Sequence, residues 1–172
     1  MNVVVVPRRM HPECRGRDRG AAAVEFALVM PVLFLLLMGI IDYGLWFTDS
    51  LSVRQGVRES ARQAAVLHAA TGCTGTGMAA VACGTRAQIA SGVGGGAAYA
   101  MVWAPNGWVR AQEVVVCGMV KATSFTGFVP LPVGGLIKSK TTMSIENISP
   151  MPTDFSYADT PPVGGDWSWC TA

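Results

Sequence analysis

The chain has 172 residues, of which 51% are hydrophobic and only 14% are charged, and its formal net charge is +2 at pH 7. This length suits one modest domain. No basic stripe with interleaved aromatic residues occurs in the body of the chain, which argues against nucleic acid as a partner.

Residues 1–20 form a polar, basic leader, whether the chain starts at Met1 or at Met10. The leader holds five arginines and two carboxylates, whereas the rest of the chain holds eight basic and nine acidic residues. The arginines are Arg8, Arg9, Arg15, Arg17 and Arg19. Positive charge is therefore concentrated on one side of the segment that follows.

Residues 21–47 are predicted to form a transmembrane helix. No charged residue occurs from Phe26 to Ile41, and the full segment corresponds to about 40 Å of helix, which can cross a bilayer with tilt. Pro31 should bend this helix or weaken one turn. The arginines before it place the N-terminus in the cytoplasm and everything after about Asp49 outside.

Two other readings of this segment are a removed secretory signal and the buried core helix of a soluble protein. The apolar stretch is longer than the usual core of a signal peptide, and no clear A-x-A cleavage site follows it. A soluble core helix does not explain why five arginines flank one apolar end. The sequence favours a permanent single-pass anchor in the cytoplasmic membrane.

Residues 48–70 are predicted to continue the same helix outside the membrane. One face is apolar at helical spacing; its members are Val53, Val57, Ala61, Ala64 and Ala65. Arg54, Arg58 and Arg62 form a row four residues apart, most simply a solvated face and alternatively a contact for lipid headgroups or an acidic partner. Gly56 lowers the helical propensity by about 1 kcal/mol.

Residues 71–97 are rich in Gly and Ala, with one predicted short helix from Met78 to Ala90. The run GVGGG lacks the preceding strand and the Lys-Ser/Thr pair of a phosphate-binding loop, so it predicts a flexible link. Residues 98–149 are predicted to form an antiparallel β-sheet, with strand patterns in AYAMVWA, GWVRAQEVVVCGMVKA and KSKTTMSIENIS and a hairpin turn at PNG. Residues 150–172 are predicted to be an irregular tail rich in Pro, Gly and aromatic residues.

The cysteines agree with export. Cys14 falls on the cytoplasmic side, and the four others fall outside, where disulfides can form. Four cysteines allow three pairings, and the sequence favours Cys73 with Cys83, a short local loop, and Cys117 with Cys170, which would tie the tail to a strand. No two cysteines have C-x-x-C spacing, so no metal site is expected.

Glu25 is out of place in an apolar segment, because an ionisable group inside a membrane costs about 2.5–3.5 kcal/mol on insertion scales. No Lys or Arg occurs within the segment. A cut after Gly20 would free an α-amino group at Ala21, one helical turn from Glu25 and close to the Glu25 of a neighbouring chain. Such an amine would supply a buried charge partner.

The stretch RGAAAVEFALVMPVLFLLLMGIIDYG resembles the N-terminus of TadE-like minor pilins, the pseudopilins of the bacterial tight-adherence (Flp) pilus system. In that family a Gly precedes the cut, the fifth residue after it is Glu and the sixth is aromatic, which matches Gly20, Glu25 and Phe26. GVRESARQAAV resembles the family's continuation of the helix and TTMSIEN its closing strand. The resemblance is strong over residues 19–66 and weaker over 113–147.

The resemblance implies a pilin-like α+β fold, a long N-terminal helix packed on a small antiparallel sheet. It implies a structural subunit without cofactor, cut by a prepilin peptidase between Gly20 and Ala21. Its partners would be pilus subunits, other pseudopilins, the membrane assembly platform and the lipid bilayer, and it could enter the pilus itself. His11 and His68 fall on opposite sides of the membrane, and no catalytic set is evident. The alternative function is a membrane-anchored extracellular binding module.

Overall fold

The computed structural model describes residues 17–66, 72–74, 77–149 and 152–172. Its helices are α1 (Arg17–Ala65), α2 (Met78–Ala90) and α3 (Ser168–Thr171), and its strands are β1 (Ala98–Trp103), β2 (Glu113–Lys121), β3 (Leu136–Ser144) and β4 (Ser156–Ala158). A short 3-10 turn, Pro132–Gly135, precedes β3. The predicted α+β fold, a long N-terminal helix packed on a small antiparallel sheet, is confirmed.

The chain divides into two compact units, residues 1–37 and 38–172. In the first unit the structure describes only helix, and every residue from Gly20 to Leu37 is exposed. The helix continues through Pro31. No apolar side chain in this described stretch is buried.

The second unit contains a four-stranded antiparallel sheet with the order β3-β2-β1-β4. Cys117 at the centre of β2 lies opposite Met101 on β1 and Lys140 on β3. β2 is buried at all seven of its inner positions, because side chains on both of its faces are covered. The nine-residue β3 forms one edge of the sheet, and its Lys138 and Lys140 are exposed.

The main core lies between the sheet and helices α1 and α2. The apolar face predicted for residues 53–65 is buried, with Val53 and Val57 fully inaccessible. These side chains pack with Val114, Val116 and Ile89. Arg54, Arg58 and Arg62 are exposed, as a solvated face requires.

Two glycines allow α1, α2 and β2 to approach closely. A Cβ atom at Gly118 would lie 2.5 Å from both Val57 Cγ2 and Ile89 Cδ1. A Cβ atom at Gly56 would lie 3.0 Å from Ile89 Cγ1 and 3.1 Å from the Ile89 backbone nitrogen. Gly56, which weakens the helix in isolation, is therefore the position where α2 contacts α1.

The β1–β2 connection differs from the predicted hairpin. The turn at PNG forms, since Gly107 N donates to Ala104 O at 3.1 Å, but β2 begins only at Glu113. Between them Trp108 is buried, and its indole nitrogen donates to Asn147 O at 3.0 Å. Residues 108–112 are therefore held by the buried indole ring and by backbone hydrogen bonds with Ile145, which donates to Gln112 O at 2.8 Å and accepts from Ala111 N at 2.9 Å.

Two other predicted segments can be compared with the described residues. Helix α1 is described as far as Ala65, whose carbonyl accepts the backbone N–H groups of Glu146 and Asn147 at 2.9 and 3.1 Å, and residues 67–70 of its predicted continuation lie outside the described residues. The tail, predicted to be irregular, contains β4, which pairs with β1, and α3, which packs on β2. The tail thus covers the sheet face opposite the helices.

Candidate functional site

The predicted cleavage and assembly residues lie on one exposed stretch of α1. Gly20, Ala21, Glu25 and Phe26 are all exposed, with Phe26 at 65%. Helical geometry places position 25 one turn beyond position 21, on the same face. The structure therefore brings together the residues that the sequence singled out.

Glu25 forms no ion pair with any side chain that the structure describes. The stretch from Phe26 to Ile41 that follows it is apolar on every side of the helix. Leu28 is 73% exposed, Val32 61% and Ile40 69%. A helix that is apolar all round belongs in a protein core or in a membrane, and this one is not covered by the chain's own core. It is long and apolar enough to cross a membrane.

A second carboxylate, Asp42, lies at the end of the apolar stretch and is buried, with 2% exposure. It accepts hydrogen bonds from the backbone nitrogens of Phe125 and Thr126 at 2.9 and 3.1 Å and from Ser124 Oγ at 2.9 Å. The Thr126 hydroxyl also donates to it. These donors come from residues 122–135, which connect β2 to β3 and are called the β2–β3 loop below. Asp42 therefore holds the loop against α1.

From the sequence, Asp42 had no role other than a position inside the predicted span of residues 21–47. Its partners are more than 80 residues away in the chain. Two features of the sequence could have indicated this contact. One is a carboxylate at the end of an apolar run, and the other is the distant segment S-F-T-G, whose hydroxyl and backbone N–H groups can donate to a carboxylate.

Aromatic side chains follow Asp42 along the helix. Tyr43 Oη donates to the Pro130 carbonyl at 3.4 Å, Trp46 is half-buried, and Phe47 is 61% exposed. Tyr and Trp are enriched where membrane-spanning helices leave the hydrocarbon region. Their position coincides with the C-terminal end of the apolar stretch.

The four cysteines that the sequence predicts to be exported lie in two bonded pairs. The sulfur atoms of Cys73 and Cys83 are 2.04 Å apart, and those of Cys117 and Cys170 are 2.03 Å apart, in the pairing that the sequence favoured. The second pair is fully buried and joins the central strand β2 to α3. Cys14, His11, His68, the leader before residue 17 and the choice between Met1 and Met10 lie outside the described residues.

Within the part of the chain that the structure describes, no group of three or more His, Cys, Asp or Glu side chains could hold a metal ion. The features that remain are the predicted processing motif, an apolar helix and a loop that is hydrogen-bonded to the end of that helix.

Residues 20–62 match the family model for TadE-like protein. This confirms the resemblance seen in the sequence. The TadE-like match begins at Gly20, the residue expected before the cut, and includes Glu25, Phe26, Asp42 and most of the buried face of α1. It includes no residue of the sheet. Neither the curated proteins nor the solved structures gave a match to the chain.

Proposed function

We propose that this protein is a structural minor pilin of a tight-adherence type IV-like pilus. The observation that carries the proposal is the TadE-like match over a helix that exposes a processing motif and then an uncovered apolar surface. A surface of this kind suits a subunit that is first held by lipid and later by the apolar helices of other subunits. The function is assembly or anchoring of the pilus, and no catalytic step is assigned to the chain.

The membrane span fits residues 21–41, a shorter segment than the sequence suggested. Twenty-one helical residues cover about 30 Å, which is the thickness of a bilayer's hydrocarbon core. Asp42 is hydrogen-bonded to the loop of the second unit and belongs at the outer surface. The basic leader is assigned to the cytoplasm and residues 42–172 to the outside.

Processing by a prepilin peptidase is proposed between Gly20 and Ala21. The cut removes the arginines that hold the N-terminus in the cytoplasm, and it creates a cationic amine at Ala21. This amine, on the same chain or on a neighbour, is the proposed partner of Glu25. The pair would form in a poorly solvated place, where an unpaired carboxylate is costly.

Mass determination of the mature N-terminus tests the processing step. The chain is expressed with and without the prepilin peptidase of its own pilus system, and the membrane fraction is analysed. We expect a mature chain that begins AAAVEF only when the peptidase is present. A mature chain that retains Arg17 and Arg19 in both preparations would contradict the proposed processing.

Glu25→Gln tests the assembly role. The amide keeps the size of the side chain but removes its charge, so the amine of Ala21 loses its partner. Breaking a buried pair costs about 3–5 kcal/mol, which reduces an assembly equilibrium by orders of magnitude. We expect the variant to stay in the membrane fraction but to lose co-purification with pilus components.

The matched control is Glu113→Gln, which removes an exposed carboxylate at the start of β2, outside the apolar helix. It should co-purify normally. If Glu25→Gln co-purifies as well as Glu113→Gln does, the charge pair is not the role of Glu25.

A further inference from the structure

The β2–β3 loop exposes large apolar side chains. Phe125 is 80% exposed, Phe128 is 70% exposed, and Val133, in the 3-10 turn at the end of the loop, is 78% exposed. No charged residue occurs between Lys121 and Lys138, the nearest charged residues on the two sides. A segment without charge and with two protruding aromatic rings is unusual for a surface bathed in water.

The loop is fixed at one level of α1. Asp42 accepts its hydrogen bonds from residues 124–126, and Tyr43 donates to Pro130. On the membrane side of these contacts, a Cβ atom built at Gly39 would lie 3.9 Å from Val129 Cγ2. The loop therefore lies beside positions 39–43, which rise by about 6 Å along the helix.

This level coincides with the outer surface of the proposed span. If residues 21–41 fill the hydrocarbon core, positions 39–43 lie at its boundary with the headgroup region, which is several ångströms thick on each side. We propose that the β2–β3 loop docks on the outer surface of the lipid bilayer, with Phe125 and Phe128 inserted among the headgroups and the first acyl carbons. The inference rests on the membrane anchoring in the proposed function and extends it to a second contact with the same membrane.

The hydrogen bonds from the β2–β3 loop to Asp42 make this docking compatible with a carboxylate at the same depth. The negative charge faces two backbone N–H groups and two hydroxyl groups, and only 2% of the residue is accessible. The loop thereby removes the charge from contact with lipid and presents aromatic rings in its place. Interfacial binding of this kind buries apolar side chains by about 5–10 Å.

A lipid surface fits this loop better than a protein partner with a binding groove does. The rings of Phe125 and Phe128 are more than two thirds exposed, and the apolar surface continues onto the apolar end of α1 through the contacts at Gly39 and Tyr43. The aromatic residues Tyr43, Trp46 and Phe47 occupy neighbouring positions on the helix, as in the aromatic belt of a membrane protein.

The test uses the full chain in nanodiscs of phosphatidylethanolamine and phosphatidylglycerol. With Cys14 changed to Ser, single cysteines at Phe125→Cys and Phe128→Cys are labelled with an environment-sensitive fluorophore. Spin-labelled lipids with the quencher near the headgroup are then added. Leu33→Cys, inside the proposed span, is the membrane control, and its quencher is placed deep in the acyl chains. Val109→Cys is the matched exposed control, because Val109 is a 51% exposed apolar residue in the connection at the opposite end of β2.

We expect a blue shift and loss of fluorescence at positions 125 and 128, and no change at 109. Asp42→Asn places an amide N–H against the loop's donors, so it should reduce the quenching at 125 without changing position 33. Quenching at 33 but not at 125 or 128 would overturn the docking and leave the anchoring intact. No quenching at 33 would refute the anchoring and the docking together. If the label at position 125 is not quenched but can be cross-linked to a second copy of the chain, the surface contacts another subunit, and the proposal is overturned.

Discussion

The Cys117–Cys170 disulfide should contribute more to stability than Cys73–Cys83, although both lie in the unit of residues 38–172. The first closes a loop of 53 residues and the second a loop of 10. In the chain-entropy relation these lengths correspond to about 4 and about 2.7 kcal/mol of stabilisation at 25 °C. Packing widens the difference, because Cys117 and Cys170 are fully buried whereas Cys73 and Cys83 are half-buried.

The structure shows what the loss would expose. Cys117 and Cys170 form a small cluster with Val115, against which Trp167 and Trp169 pack. Without the bond, α3 is held mainly by these rings and by local hydrogen bonds of the tail. We expect release of the tail to uncover one face of β2, so the double variant Cys117→Ala/Cys170→Ala should become sensitive to limited proteolysis after residue 159.

The assay is guanidinium unfolding of the full chain in detergent micelles, followed by tryptophan fluorescence. All five tryptophans lie in the unit of residues 38–172, so the signal reports on that unit. Cys73→Ala/Cys83→Ala is the matched control. An equal or smaller loss of unfolding free energy in the Cys117/Cys170 variant would refute the reasoning, and so would peptide mapping that finds the cysteines crossed between the two pairs.

Three other outcomes are expected. Gly56→Ala should destabilise the fold by about 1–2 kcal/mol, because crowding against α2 outweighs the gain in helix propensity of about 1 kcal/mol. A Cβ atom at Gly44 would meet nothing within 4 Å, so Gly44→Ala should be neutral or stabilising in the same unfolding assay. Trp108→Phe should cost about 1–3 kcal/mol by thermal denaturation, since it leaves a carbonyl without the indole donor. Arg62 lowers the pKa of Glu59 from 4.5 to about 2. The ionised Glu59 therefore stabilises the folded state above pH 4.5, and this contribution is lost as the pH falls toward 2. Glu59→Gln should weaken the acid dependence of the unfolding free energy, and an unchanged pH profile would contradict this.

Residues whose partners follow from spacing could be predicted from the sequence. The face from Val53 to Ala65 was evident because a helix repeats every 3.6 residues, and the structure buries it. The short helix Met78–Ala90 and the strands flanking PNG were also evident, since their apolar periods end at Gly, Pro and Asn.

Features that depend on distant partners were missed. β4 is a three-residue strand in a Pro-rich tail, and it exists because β1 offers a free edge to it. Asp42 looked like a boundary of the apolar run, because nothing near it in the sequence shows that residues 124–126 surround its carboxylate. Trp108 looked like part of a strand, whereas it lies before β2 with its ring buried and its indole nitrogen hydrogen-bonded to the distant Asn147 carbonyl.

The free edge formed by β3 matters for how copies of this protein can meet. The outward backbone N–H and C=O groups of this nine-residue edge strand have no partner strand in the sheet that the structure describes. Such an edge can pair with a strand of another copy and extend the sheet from one copy to the next. Lys138 and Lys140 lie on that edge strand, where Lys138 Nζ is 3.7 Å from Asp166 Oδ2 and Lys140 Nζ donates to the Ala172 carbonyl at 2.7 Å. Lysines on an edge strand hinder edge-to-edge pairing. Polymer growth through sheets is thereby disfavoured. In the proposed function, the uncovered apolar helix is instead the surface through which copies meet.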